Sequence, residues 1–496
     1  MRLRTLLGET ADLEKAGAVL GWDQQTYMPP DAAGSRSAQM VTLATLAYDR
    51  FVNDEVGQLL ERLSHDVEAL PYDSFARSLI RVTRRKYQRE RKLSRDLVGK
   101  LAEATTLGHH GWLQAREQNR FEVFCPYLER IVDLVVQKAE ALGYPECRYD
   151  ALLDEFEPEM RTSRVEALFS QLKEALVPLV QAIRPQVAQV DDSFLHRHFD
   201  EKKQWDFGLA VLQAMGFDFR RGRMDSTVHP FTTAFSPTDV RITTHVVPDN
   251  LASCLFSVVH EGGHALYEQG IPLEFERTPL GEAPSFGVHE SQSRLWENLV
   301  GRSRPFWRHF LPVAQSFFPA ELRGVDLEAM YRAVNRVEPS LIRTDADEVT
   351  YNLHIFVRFD LERQLVDGKL AVKDLPEAWN ALMQDYLGVV PRNPREGVLQ
   401  DVHWSDGSIG YFPSYTLGNL LAVQFFDQAR KECPGLEDEM AAGRFGTLKK
   451  WLNERIHALG GKYTPAELVS RVTGTELQAE PYIRYIRSKY GEIYGL

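Results

Sequence analysis

The sequence predicts a mainly α protein, and three observations carry that expectation. From Leu3 to about Ala188 apolar residues recur at helical spacing almost without a break, the same spacing returns over Leu251–Gln269, and it returns again from Pro305 to Leu365. The main exception is His229 to Val247, where Thr, Val, Ile and Phe cluster between Pro230, Pro237 and Pro248, the mark of short strands. With no internal repeat, low-complexity tract or long linker, residues 1–496 read as a single continuous domain.

Taken in order, the first long helical region includes Ser163-Arg-Val-Glu166, which reads as a capping box. It opens a helix with Val165, Leu168, Phe169, Leu172 and Leu176 on one face, which Pro178 is expected to interrupt. The basic run Arg81 to Lys92 reads first as a solvated helix face. Its functional alternative is a cleft mouth that attracts acidic peptide ends. In Asp239-Val-Arg-Ile-Thr243, alternation puts Val240 and Ile242 on one face, and the segment is expected to form an edge strand able to pair with an extended peptide. Asp249 and Asn250 cap the helix that follows, and Gly270 with Pro272 stops it. Beyond Leu365, a glycine-rich aromatic loop leads into a helix from Leu417 to Arg430, and the stretch from Tyr463 onward is helical again.

Composition narrows the function. A net charge of −12 argues against a nucleic-acid surface as the main business of the chain. The charged first residues turn polar too soon for a secretory leader, and no apolar run approaches membrane-spanning length. Cys125, Cys147, Cys254 and Cys433 are scattered without metal spacing, which fits a reducing cytoplasm.

The chemistry centres on His260-Glu-Gly-Gly-His264. On a helix two histidines at i and i+4 stand about 40° apart and one turn along, so both imidazoles can converge on one metal ion. Glu261 beside them is placed to take a proton from a water attacking a carbonyl. The two glycines are read as clearing space for a substrate on an exposed turn. The bland alternative is a buried helix whose histidines only bond to backbone. A metzincin would need Gly and His at the positions of Tyr267 and Gly270, so that class is excluded. The third ligand is sought on the next segment, where Ser285 caps a helix with Val288, Leu295 and Leu299 on its apolar face. Glu290 is preferred there and Glu297 is the alternative. Many such enzymes place a carboxylate four residues after the ligand glutamate to orient a histidine. This chain has Arg294 at that place, so the support must come from elsewhere.

Six motifs in one order then bear a resemblance: His229-Pro-Phe231, Asp239-Val-Arg241-Ile-Thr243, His260-Glu-Gly-Gly-His264, His289-Glu-Ser-Gln292, Ile342-Arg343-Thr-Asp-Ala-Asp347, and Gly397-Val-Leu-Gln400-Asp401-Val-His403-Trp404. Trp22 to Pro30 adds a seventh stretch. Together they resemble the M32 metallocarboxypeptidases of the carboxypeptidase Taq type, over essentially the whole chain. The resemblance implies a two-lobed helical body with a deep cleft and a small sheet beside the metal helix, of the gluzincin kind seen in angiotensin-converting enzyme and neurolysin. It implies one Zn2+ per chain, with Co2+ as a substitute, held by His260, His264 and Glu290, and it implies a homodimer.

A carboxypeptidase must grip a free terminal carboxylate, which the planar fork of arginine does best. Arg343 is ranked above Arg241 for that role, and a salt bridge to Asp345 or Asp347 is its bland alternative. His229 joins the substrate-binding set through its motif. By analogy with a late His and Tyr pair in enzymes of the angiotensin-converting type, His403 is assigned to substrate and Tyr411 to the developing oxyanion, with Tyr415 as fallback. The expected activity is stepwise release of single residues from peptides with a free carboxyl terminus, Glu261 serving as base and then acid. An oligopeptidase cutting internally is the alternative, and neither reading calls for nucleic acid or membrane.

Overall fold

Nine helices precede the first strand: Arg2–Thr26, Ala33–Phe51, Asp54–Asp66, Phe75–Glu90, Arg95–Gln118, Phe121–Leu142, Arg148–Phe156, Thr162–Ile183 and Glu201–Met215. The structure, a computed structural model, describes residues 1–496. Local chemistry starts several of these helices. Asn53, Ser74 and Ser94 each accept a hydrogen bond from the backbone N–H three residues on, which satisfies a donor the helix itself leaves unpaired. Two expectations for the helix Thr162–Ile183 are corrected. It begins at Thr162, without a capping box at Ser163, because the carboxylate of Asp150 takes the Thr162 N–H at 2.7 Å. Pro178 lies inside it and does not end it, since Val180 and Ile183 beyond the proline stay anchored in the core.

The three-stranded sheet comprises β1 (Gly222–Ser226), β2 (Thr232–Ser236) and β3 (Asp239–Thr244), in spatial order β1-β3-β2. β3 pairs parallel with β1 and antiparallel with β2, so it is the central strand and not the expected edge. Val240 and Ile242 face the core as the alternation required, and both are fully buried. The free edge towards the cleft belongs to β2. The Phe231 carbonyl accepts the Thr243 N–H and its own N–H donates to Thr243 Oγ1, so the backbone groups of Thr232 and Ala234 point outward by alternation, the Ala234 carbonyl accepting from Lys15 Nζ at 2.8 Å.

After the sheet come helices Leu251–Gly270, Phe286–Arg294, Arg304–Phe317, Leu327–Val334, Tyr351–Val366, Leu375–Leu387 and Pro413–Glu432, and five more turns or helices to Tyr494. The stretch from Asn335 to Thr350 was expected to be helical and is largely irregular. Asp347 explains it: its carboxylate accepts from the N–H groups of Glu338, Val349 and Thr350, which folds the backbone around one side chain. One cluster of 122 buried residues extends from Leu3 to Tyr494, so both ends of the chain share a core. A cleft of about 2020 Å³ opens into it, with helix Phe75–Glu90 on one wall and the Leu251–Gly270 helix at its floor.

Candidate active site

The floor helix begins at Asn250, whose side chain accepts the Ser253 N–H at 3.0 Å, and Leu251, Leu255, Val258, Val259 and Leu266 form its buried face. His260 and His264 project together, their ring centroids 5.0 Å apart. The glycines between them do not open room for substrate. Both are buried: a Cβ on Gly262 would stand 2.7 Å from Leu212 Cδ2, and one on Gly263 would stand 2.6 Å from the carbonyl oxygen of Gln292. Gly263 therefore lets the helix Phe286–Arg294 cross in backbone contact. That crossing helix starts at Ser285, which caps the Val288 N–H at 3.0 Å. On its other side Gly418 of the Pro413–Glu432 helix leaves space for Glu290, since a Cβ there would lie 2.7 Å from Glu290 Cγ.

The crossing delivers a carboxylate to the histidines. Glu290 Oε2 lies 3.7 Å from His260 Nε2 and 3.4 Å from His264 Nε2. Donors about 2.0–2.2 Å from a tetrahedral ion stand about 3.3–3.5 Å apart, so two imidazoles and one carboxylate here fit a metal with an open fourth position. Glu297 is not a ligand in this geometry. Its Oε2 accepts from His260 Nδ1 at 2.9 Å and so orients that ring. Arg294 joins the two carboxylates: Nε donates to Glu290 Oε1 at 2.6 Å and Nη1 to Glu297 Oε2 at 3.2 Å. His264 is held by a longer relay, its Nδ1 lying 2.6 Å from His289 Nδ1 while His289 Nε2 lies 2.8 Å from Glu268 Oε1. If His289 Nε2 carries the proton given to Glu268, its Nδ1 accepts from His264, and His264 Nε2 is left with a free lone pair.

Electrostatics agree with ligation. Burial disfavours the charge on Glu290, but Arg294 and His260 outweigh it and hold the carboxyl well below the usual range. The same contest, burial against Arg294 and His260, leaves Glu297 at about 2. Burial, with His289 alongside, pushes His264 down to about 3, so its ring is neutral as a ligand must be. Glu261 is buried between the floor helix and the sheet, and its Oε2 accepts from Thr232 Oγ1 on β2 at 2.7 Å. Burial raises its carboxyl, which suits a group that must accept a proton.

The opposite wall is built from irregular segments. Arg343 is buried except for its cleft-facing side and donates from Nε and Nη2 to Asp401 Oδ1 at 3.0 and 2.8 Å, and from Nη1 to the Tyr351 hydroxyl at 2.9 Å. Its acidic partner is thus Asp401, not Asp345 or Asp347. Asp401 also takes the fully buried Arg358 at 2.7 Å through Oδ2, and despite its burial the two arginines hold it far below the usual carboxylate range. Two guanidinium groups around one carboxylate leave a local excess of positive charge beside the cleft. Arg241 does not come to this wall. It pairs with Asp239 through two bonds of 2.9 Å and lies over Trp22, 4.4 Å from the ring centroid, outside the cleft lining. His229 is exposed at the cleft rim. Tyr411 and Tyr415 both line the cleft with ring centroids 5.3 Å apart. His403 stands behind them, its Nε2 3.1 Å from the Tyr415 hydroxyl, and it is absent from the lining.

The model of the carboxypeptidase Taq (M32) metallopeptidase family matches residues 2–490. The chain belongs to the M32 family. It is a metallocarboxypeptidase, a hydrolase of peptide bonds, and the family implies a metal for which the His260, His264 and Glu290 donors form a matching set. Among M32 relatives, it is 45% identical to thermostable carboxypeptidase 1 of Thermus thermophilus, over 98% of this chain and 97% of that one. It is 34% identical to carboxypeptidase 1 of Bacillus subtilis, over 99% and 98%. The crystal structure of the M32 carboxypeptidase from Deinococcus radiodurans superposes with a TM-score of 0.96 at 43% identity, covering 100% of this chain and 99% of that one.

Sequence reasoning missed several residues of this M32 site. Thr232, Glu268 and Arg358 carry no signal of their own, because each acts through a partner distant in sequence, and Asp401, though inside a resembled motif, was given no role. Glu297 was visible seven residues after Glu290, which puts both on one helix face. Only its role was misjudged as a spare ligand.

Proposed function

We propose that this M32 enzyme is a zinc carboxypeptidase that releases single residues from the free carboxyl end of peptides, with broad preference for the residue removed. The observation that supports it most is Arg343, buried and backed by Asp401, on the wall of the same cleft that holds the metal donors. His260, His264 and Glu290 hold one Zn2+, and Co2+ suits the same two-imidazole, one-carboxylate set. When bound, the metal supplies Lewis acidity, polarising the scissile carbonyl and making a water easier to deprotonate.

The chain's own residues do the rest. Glu261, aimed by Thr232, takes the proton of the attacking water on its carboxylate and then passes one to the leaving amine. Tyr411 donates its hydroxyl hydrogen to the oxygen that becomes negative, with Tyr415 as second donor. His403 fixes the Tyr415 hydroxyl from behind, a positioning part in place of direct substrate contact. Arg343 offers its remaining N–H donors to the terminal carboxylate, and a chain continuing past that point would leave the guanidinium without its anion. The outward backbone groups of Thr232 on β2 offer an extended peptide a strand to pair with, and His229 sits at the rim where the peptide enters. The four cysteines are all unpaired, which supports a reducing cytoplasm, and kinship supports a homodimer.

The test is zinc-loaded protein incubated with an unblocked peptide and its carboxyl-amidated twin, with products followed by mass. Stepwise loss of single residues from the unblocked peptide alone is expected. Internal cuts in both peptides would replace this reading with an oligopeptidase.

A further inference from the structure

Glu362 is a fully buried carboxylate on the Tyr351–Val366 helix, and the reaction described above makes no use of it. Three donors converge on it. The Trp404 indole N–H reaches Oε1 at 2.8 Å, while the Tyr149 hydroxyl and the Gly410 backbone N–H reach Oε2 at 2.6 and 3.0 Å. Two of those donors sit next in sequence to residues of the tyrosine pair's setting: Trp404 follows His403, which holds the Tyr415 hydroxyl, and Gly410 precedes the cleft-lining Tyr411. The third comes from the helix Arg148–Phe156, which braces the same loop. Gly410, at φ +99°, packs against the backbone of Leu152, and the Phe156 ring meets the Tyr411 ring edge-on at 5.1 Å.

We infer that Glu362 is a positioning residue that fixes the aim of Tyr411, and of Tyr415 through His403, by holding the two ends of the intervening loop on separate oxygens of one carboxylate. The inference rests on the reading of Tyr411 as the donor to the developing oxyanion. The two oxygens matter because two of the donors cannot turn. An indole N–H and a peptide N–H each need an acceptor, and they lie on different oxygens, whereas the Tyr149 hydroxyl can rotate. Burial pushes the Glu362 carboxyl up to about 7, and a proton on it is accommodated: Oε2 then donates to Tyr149 and still accepts from Gly410. An amide has no such freedom. Whichever way Gln is turned, its NH2 faces either Trp404 or Gly410, and that end of the loop must shift.

The experiment is steady-state kinetics of metal-loaded Glu362→Gln on an unblocked peptide, beside Tyr411→Phe and the double variant, with bound metal and unfolding temperature measured for each. Glu362→Gln is expected to lower kcat on the order of ten- to a hundredfold, the scale of a misplaced catalytic group. KM should change by no more than about twofold, with metal content at the parental level. The double variant should lose less than the product of the two single losses. A parental kcat per folded, metalled site, or fully multiplicative losses, would overturn the positioning role. A slow Tyr411→Phe beside a parental Glu362→Gln overturns that role alone, whereas a parental Tyr411→Phe overturns the reading of Tyr411. Should Glu362→Gln fail to fold, Trp404→Phe removes one fixed donor and keeps the carboxylate. A severalfold fall in kcat supports the role, and no fall overturns it.

Discussion

The two walls of the cleft are made in different ways. The metal cradle is made by helices: Leu251–Gly270 and Phe286–Arg294 cross at Gly263, and all three donors and the His260-orienting Glu297 come from residues 260 to 297. The facing wall is made by loops. Arg343 and Tyr411 lie on irregular stretches nearly seventy residues apart, and what aims them is a set of carboxylates, the half-buried Asp347 and Asp401 and the fully buried Glu362. Helix geometry makes the first precise almost for free, whereas the second depends on single side chains whose loss has no local substitute.

Variants of each wall should therefore fail differently. On the cradle, Glu261→Gln is expected to lower kcat by about 10²–10⁴ with metal content intact, because the base is lost while the donors stay; peptide turnover with metal analysis checks this. On the loop wall, Arg343→Met should lower kcat/KM for unblocked peptides by about 2–5 kcal/mol in transition-state terms, since Asp401 loses a buried partner and the terminal carboxylate its fork. Arg343→Lys, which keeps the charge but not the fork, should recover only part of the loss in the same assay.

A smaller effect probes the cradle's support. Glu297→Gln should weaken metal affinity by about 10–100-fold, read by competition with a chelator, while kcat at saturating metal changes little. The smallest effect sharpens the contrast: Arg241→Ala, remote from both walls, should leave kcat/KM within about twofold and stability within about 1 kcal/mol by denaturant unfolding.

The same contrast explains what the sequence disclosed. The helical architecture, the metal helix with its Asn250 cap, and the Ser285 cap were legible because each is written in periodicity and in neighbours three or four residues apart. β3 was legible as a strand but not as a central one, since alternation reveals a strand's faces and says nothing of its neighbours. Arg343 and Arg241 were nearly indistinguishable, both sitting beside aspartates in short motifs. Only the fold puts one against Asp401 in the cleft and the other over Trp22. The irregular course from Asn335 to Thr350 was hidden for a similar reason: one aspartate gathers three backbone donors there and overrides an apolar pattern that suits a helix.

Gly262 and Gly263 bear on how this site can be transplanted. A search pattern or a designer's template for such a centre usually treats the two residues between glutamate and the second histidine as free choices. Here Gly263 is bounded by backbone, with an added carbon 2.6 Å from the Gln292 carbonyl oxygen and 2.7 Å from Ser293 Cα, whereas at Gly262 the nearest atom is the movable end of the Leu212 side chain. The information that specifies the centre thus includes Gly263, a position that touches no metal and no peptide. A scaffold given the histidines and both glutamates, with alanines in between, would carry every reactive group and still keep its helices too far apart to use them.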